Sequence, residues 1–580
     1  MLTRACAQNK APEAQVRAEP KGLADARKLP QAPPGGGGVG GPSPKAAAPP
    51  KGGPAPARGS SRVPFMDDYE REEDLLALPG SRDEVGLFKD PDFPADDASL
   101  FGDPDNPPPW HPPKSAIRWL RPDQIVKKGV PVLFSEEKEI VQGALGDAWL
   151  LGALGCVATR PDLLDVIFAS TRNKLKGIYT LRFFKRGQWK NVVIDDRIPC
   201  DETGTPLYAR SKDANQIWVM LVEKAYAKMH GCYEALSNGS QTYALRDLTA
   251  GAPQTLDLTQ ETVMDQIANG FLWQQLKLWA QQGLLGCSQA DRPAAVTREA
   301  EAVRKDIVCN GGLRRRRVYS ILEALEPVSG RRFLRLQENL ARERAWHAQA
   351  HDAKQHDRQS WRWTGEWAAG AAEWLVNPDI RAHLDPQSRG LPAGQFWITF
   401  EDWARYFHVL HVCQLFPASW RVPLSTDGEP EPLVLQGTWR RATNMCGGAP
   451  RKGNKTWWRN PQFLLTLASG ERTQVFVTVS QEDPRYQPND GAPNGRKPFK
   501  KPTRAVDEYA CAIGVAVVRK KVLQGKRKGS QLQRADVELM SRPFRRCRDA
   551  AVATPKILDP RPSRDEFVII PMVYDPEKVV

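Results

Sequence analysis

Gln142-Gly143-Ala144-Leu145-Gly146-Asp147-Ala148-Trp149-Leu150-Leu151 is the stretch on which the reading of this chain turns. From Ala148 to Thr159 every residue is apolar or small, with no polar face. A helix that is apolar all round is a buried one, so the pattern predicts a core helix starting at Ala148. Asp147 is a suitable N-cap and Pro161 a stop signal.

Working outward, Tyr179-Thr180-Leu181-Arg182-Phe183-Phe184 and Val192-Val193-Ile194 read as strands. A second helix is expected from Ile217 to Met229, where Val219, Leu221, Val222 and Ala225 interleave with Glu223, Lys224 and Lys228. Past Trp420 the texture changes to short apolar runs separated by turns. Phe463 to Leu467, Val475 to Val479, Ile513 to Val518 and Phe567 to Ile570 suggest an antiparallel β-sandwich. Upstream, residues 1–65 are rich in Pro, Gly, Ala and Lys, with no aromatic residue before Phe65. Such a segment cannot bury enough apolar surface to offset its ordering entropy, so it is expected to be a disordered tail. Order is expected to begin near Leu87.

At 580 residues the chain calls for several cores. No apolar run reaches the ~18 residues a membrane span needs, and the N-terminus lacks a secretory signal. The ten cysteines show no CxxC pair, which argues against a zinc or disulfide framework. A reducing, cytoplasmic setting is the expectation. The net charge of +14 is concentrated late: from Arg421 onward there are 29 Lys and Arg against 17 Asp and Glu. No nucleic-acid motif accompanies that charge, so a DNA or RNA protein is not expected. Clusters at Arg519-Lys520-Lys521, Lys526-Arg527-Lys528 and Arg542 to Arg548 are solvated loop charge by default. Contact with anionic lipid is the functional alternative, placing the protein peripherally on a membrane. The run Arg314 to Arg317 would likewise suit a protein partner or acidic peptide.

The opening decapeptide resembles the active-site peptide of the calpain family of cysteine proteases at every position but Ala148, where the family has its nucleophilic cysteine. Trp218 to Lys228, continuing through Gly231-Cys232-Tyr233-Glu234-Ala235-Leu236 to Asp247-Leu248-Thr249, is similar to a second family block. A third runs from Gly283 to Ser288 through Trp363-Thr364-Gly365-Glu366-Trp367 to Phe396-Trp397-Ile398-Thr399-Phe400. Gly437-Thr438-Trp439-Arg440 and Trp458 to Phe463 resemble the family's sandwich. The resemblance implies an α+β chain: a papain-like core in two subdomains, 87–252 on the cysteine side and 253–418 on the His/Asn side, then a β-sandwich over 419–580. In the family a further strand follows the segment resembling Phe567 to Pro576, so the expectation is a sandwich with one edge either covered by a partner protein or missing because the sequence is truncated.

The same resemblance places the catalytic histidine at Arg317, in Arg316-Arg317-Val318-Tyr319-Ser320-Ile321, and the asparagine at Glu338, or at Asn339 with one inserted residue. Alanine has no nucleophile. An arginine stays protonated to pH ~12 and cannot shuttle a proton at neutral pH. No histidine occurs between His230 and His347 to take its place. If Arg317 and Glu338 are neighbours, an ion pair would bridge the old cleft. Gln142 matches the oxyanion-hole glutamine, though polar packing of its loop explains it more simply. Of the family's calcium positions, Glu139 retains an acid of the first site and Gln216 replaces another; Arg362 and Ala369 stand where the second site needs acids. No cofactor is required on this reading, and residual Ca²⁺ binding at Glu139 would be weak. Cys156, eight residues after Ala148, and Cys287 read as core residues. His347, His351 and His356 lie in a charged insertion rather than a metal site. The expected function is that of a non-proteolytic binding or regulatory protein on a protease scaffold. The alternative is a calcium-dependent cysteine-type endopeptidase, as family membership alone would imply.

Overall fold

The computed structural model describes residues 15–17, then 69–289 apart from 109, 110, 112, 113, 137 and 138. It also describes 312–416 apart from 314–317, 329, 339, 342–362, 386–390, 392 and 393, and a set of segments between 422 and 575.

The buried helix is present as α1 (Ala148–Ala158), and its residues from Trp149 onward are all buried. Asp147 is at the N-cap position, but its side chain makes no capping hydrogen bond. It turns inward instead and is fully buried. Around α1 pack α2 (Trp218–His230) and α3 (Gln241–Thr249), together with the antiparallel hairpin Ile178–Lys185/Gln188–Asp195. The charges interleaved in α2 do not face water: Glu223 is 1% exposed and Lys224 is not exposed at all. Lys224 Nζ sits 2.5 Å from Asp195, which also binds Arg197 Nε at 2.9 Å and the backbone N–H of Asp90 at 2.8 Å. Lys224 and Arg197, against the cost of burial, hold the Asp195 carboxyl at about 2.

Order begins earlier than Leu87. A helix at Tyr69–Ala77 places Leu76 in a small core with Phe88, Ile178 and Val193. Its Glu72 is buried and accepts a 2.8 Å hydrogen bond from Asn173 Nδ2.

The second subdomain is one six-stranded antiparallel sheet. Its strands are β1 (Ala252–Asp257), β2 (Gly283–Ser288), β3 (Val318–Val328), β4 (Arg331–Glu338), β5 (Gln395–Thr399) and β6 (Val409–Gln414). Their spatial order is β5-β4-β3-β2-β6-β1. Because side chains alternate across a sheet, one face carries Leu285, Cys287, Tyr319, Ile321, Leu334, Leu336, Ile398, Leu410 and Val412 into a core of their own. The other face meets α1, with Val318 against Gly152.

The C-terminal region is sheet-rich. Its main sheet contains β7 (Phe463–Thr466), β8 (Ile513–Arg519), β9 (Val537–Met540) and β10 (Glu566–Val573), in the order β7-β10-β8-β9. One expectation changes here. Val475 to Val479 is not one strand, since Thr473–Val475 and Thr478–Ser480 pair separately with Lys556–Leu558 and Asp549–Ala551. The strand β10 lies inside the sheet, between β7 and β8, so its edges are covered. The open side of β7 is paired with Gln15–Arg17 from the tail expected to be disordered; the rest of residues 1–65 lies outside the described residues.

The sandwich docks on the core through buried charge. Arg548, 5% exposed in its side chain, reaches Asp247 on α3 at 2.9 Å, and its Nη2 donates to the Tyr243 carbonyl at 2.9 Å. Asp247 also accepts from Tyr226 Oη at 2.6 Å and pairs with Lys185 at 2.5 Å.

Candidate functional site

Ala148 is the first residue of α1, the helix whose Gly152 meets Val318 of the second subdomain's sheet. The loop before it is shaped by close backbone approach: a Cβ on Gly143 would fall 2.3 Å from the Leu207 carbonyl oxygen. Only glycine fits there without displacing backbone. Ile140–Val141 pairs antiparallel with Arg210–Ser211 and parallel with Leu340–Ala341, the chain just past β4. The topology therefore brings the end of β4, where Glu338 is located, alongside the start of the decapeptide.

A helix N-terminus carries a partial positive charge and lowers the pKa of a thiol placed there. The site thus retains the setting of a nucleophile, and the atom in that setting is a methyl carbon. Gln142 is half-buried, and its Nε2 donates to the Leu145 carbonyl at 2.9 Å. Beneath the helix start, Asp147 and Glu223 form a buried pair of acids. Burial raises both carboxyls, and for Glu223 repulsion from Asp147 adds to it. Two carboxyls so placed cannot both ionise easily, so the pair holds a proton. Glu223 also accepts the Ala209 backbone N–H at 3.1 Å. This acid pair was not singled out from the sequence, because 75 residues separate its members.

Glu338 closes β4, half-buried, opposite Tyr319 of β3. Its backbone N–H donates to the Gly394 carbonyl at 2.9 Å. Arg314 to Arg317 and Asn339 lie outside the described residues, and so does the suggested Arg317–Glu338 pair; the same holds for His347, His351, His356 and Arg362. The described histidine of this sheet's inner face is His411 on β6, with Nδ1 2.9 Å from Thr242 Oγ1 and Nε2 3.1 Å from Ser288 Oγ. Burial lowers it to about 4. Both its nitrogens are engaged, and at neutral pH it is uncharged.

Cys156 is 1% exposed; its sulfur accepts from Ser320 Oγ at 3.0 Å and Gln241 Nε2 at 3.4 Å. Cys287 is fully buried, and burial pushes its thiol well up. Neither has the access that a reactive thiol requires.

For calcium, the donor set is poor. The Glu139 carboxylate is 2.7 Å from Lys212 Nζ, which supplies the positive charge an ion would bring. Both ends of the Gln216 amide are used, Nε2 donating to Ser135 Oγ at 2.9 Å and Oε1 accepting from Trp218 Nε1 at 2.9 Å. Ala369 is exposed and offers no side-chain oxygen. Among the described residues no three His, Cys, Asp or Glu converge as a metal site. A hard cation needs six to eight oxygens, and these residues do not fit one.

The basic C-terminal clusters are partly consumed internally. Arg519 pairs with Glu538 at 2.6 Å, Lys520 with Glu566 at 2.7 Å, and Arg548 with Asp247. Lys521, Lys526 to Lys528 and Arg542 to Cys547 lie outside the described residues. No helix among the described residues is long and apolar enough to cross a membrane.

Comparison with known proteins agrees with this architecture. The model of the calpain family cysteine protease matches residues 88–414, and that of the calpain large subunit, domain III, matches residues 435–579. The chain is 34% identical over 406 residues to the calpain-type cysteine protease DEK1 of Arabidopsis thaliana, covering 68% of this chain and 16% of that protein. It is 31% identical over 414 residues to the calpain-2 catalytic subunit of Bos taurus, covering 69% and 53%. With calpain-A of Drosophila melanogaster the identity is 30% over 458 residues, covering 75% and 49%. The match therefore spans about a sixth of the plant protein and about half of each animal one. With a family model matched over more than half its length, this chain belongs to the calpain family of cysteine proteases.

Proposed function

We propose that this chain is a calpain-fold binding or regulatory protein that does not cleave peptide bonds. The observation that carries the reading is Ala148 at the N-terminus of α1, where the fold's chemistry needs a thiolate. The absence of histidine between His230 and His347 supports it, because the acid-base partner would have to come from the start of β3. The engagement of both His411 nitrogens supports it too, since that ring is not available as a substitute base.

On this reading no cofactor is needed, and Lys212 takes over the charge-balancing role that calcium would have at Glu139. The cleft receives a protein segment, favouring acidic ones through Arg314 to Arg317. The remaining C-terminal cations offer anionic lipid a peripheral, cytoplasmic attachment. Salt-sensitive binding to phosphoinositide liposomes tests the last point; indifference to lipid charge removes it.

Family membership alone favours a second reading, a calcium-dependent cysteine endopeptidase. A fluorogenic-peptide assay with calcium separates the two, since only that reading gives turnover blocked by a thiol-directed inhibitor.

A further inference from the structure

Six residues, one from each strand of the core sheet, stand directly opposite one another: Thr255, His411, Gly286, Ser320, Gln337 and Gln395. Paired residues in register share a face, so they form a single polar row across the face that meets α1 and α3. At one end the row is closed by its own hydrogen bonds. Thr242 Oγ1 lies 2.8 Å from Thr255 Oγ1 and 2.9 Å from His411 Nδ1. In the middle, Gly286 has no side chain because Gln241 lies over it; a Cβ there would be 2.4 Å from Gln241 Nε2. Ser320 is tied to Cys156.

The other end is different. Gln337 is only 5% exposed, and its side chain lines a cavity. Gln395 Oε1 is buried and has no hydrogen-bond partner among the described residues. Buried polar groups are nearly always satisfied, so this one points to a missing partner. These two border a cavity of about 360 Å³ between the subdomains, walled on one side by the segment Ala158 to Pro161 after α1 and on the other by β2, β3, β4 and β5. That volume is in the range of small-molecule sites. Arg160 and Arg335 contribute guanidinium groups, and among the described residues no carboxylate lines it. Their ion pairs, with Asp162 and Glu323, are partly exposed and hence weak competitors.

We propose that this cavity is a binding site for a small carboxylate-bearing molecule, held by Arg335 and Arg160 with its remaining polar atoms on Gln337 and Gln395. Eight residues of helix separate Cys156 at its wall from Ala148, about 12 Å at the helical rise, so the site is distinct from the former catalytic centre. It does not depend on how that centre is read. Because its walls come from both subdomains, a ligand there stabilises their present arrangement, as any ligand stabilises the state it prefers.

The test uses the full chain, glutarate as probe and glutaramide as its neutral isostere. Titration followed by calorimetry and by the unfolding midpoint is expected to give saturable glutarate binding with an upward shift. Binding of glutaramide should be at least tenfold weaker. Arg335→Met should weaken glutarate by tenfold or more. Gln337→Leu should also weaken it. No saturable glutarate binding, equal binding of glutaramide, or glutarate affinity left intact in Gln337→Leu would each overturn the assignment.

Discussion

Asp247 joins the protease core to the sandwich, and neutralising it should be costly. Its side chain is 2% exposed, and it balances two cations that are themselves buried, Lys185 at 3% and Arg548 at 5%. Burial works against its ionised form, but Arg548 and Lys185 outweigh that and hold the carboxyl below the usual range. Asp247→Asn keeps the shape and removes the charge, taking the carboxylate from the buried Lys185 ammonium and leaving the Arg548 guanidinium only its 2.8 Å pair with Asp549. Breaking a buried pair from one side costs about 3–5 kcal/mol. Tyr226→Phe removes only one hydrogen bond to the same carboxylate and should cost about 1.5–3 kcal/mol. Denaturant unfolding of the wild type, Asp247→Asn, Arg548→Met and the double variant measures this. The double variant should be destabilised by less than the sum of the singles, because removing both partners leaves only Lys185 uncompensated. Calorimetry of Arg548→Met should separate the melting of the sandwich from that of the core. A cost for Asp247→Asn below about 1 kcal/mol, or strict additivity in the cycle, would refute the claim that this cluster couples the two units.

Other outcomes follow from the same structure. Ala148→Cys should remain without turnover, because a thiol at the helix start still lacks an acid-base partner; robust hydrolysis of a fluorogenic peptide by that variant would show that a base is present. Gly143→Ala forces a methyl onto the Leu207 carbonyl and should cost at least about 2 kcal/mol in denaturant unfolding. The Asp195 carboxyl falls from 3.8 to about 2 on folding, worth roughly 2 kcal/mol. A depressed acid stabilises above its unfolded pKa and ceases to as pH falls through its folded value. The stability gap between wild type and Asp195→Asn should therefore be full above pH ~4 and shrink toward pH ~2. Chelation of calcium should leave the unfolding midpoint unchanged, since Lys212 already neutralises Glu139; a fall of several degrees would contradict this.

What the sequence makes legible here is whatever a local pattern encodes. The all-round apolar run after Asp147 yields α1, and the short apolar runs yield β7, β8 and β10. The helix Tyr69–Ala77 escapes because its surface is almost entirely charged and only two leucines anchor it. Glu223 and Lys224 look like the polar side of an amphipathic helix, yet their buried partners, Asp147 and Asp195, come from elsewhere in the chain. The alanine at position 148, on which the proposed reading rests, is legible from one residue. The polar row across the core sheet is not, because it exists only once six strands have set their register. Likewise, Arg548 appears in the sequence as one of a cationic cluster, and only the fold places it against Asp247, 301 residues away.

The most direct test of the central claim is hydrolysis of a fluorogenic calpain-type peptide by the highly purified chain, with millimolar calcium and a reducing agent. The account predicts no product above the rate of a heat-denatured control and no effect of a thiol-directed inhibitor. Calcium-dependent release of product that the inhibitor abolishes would contradict it.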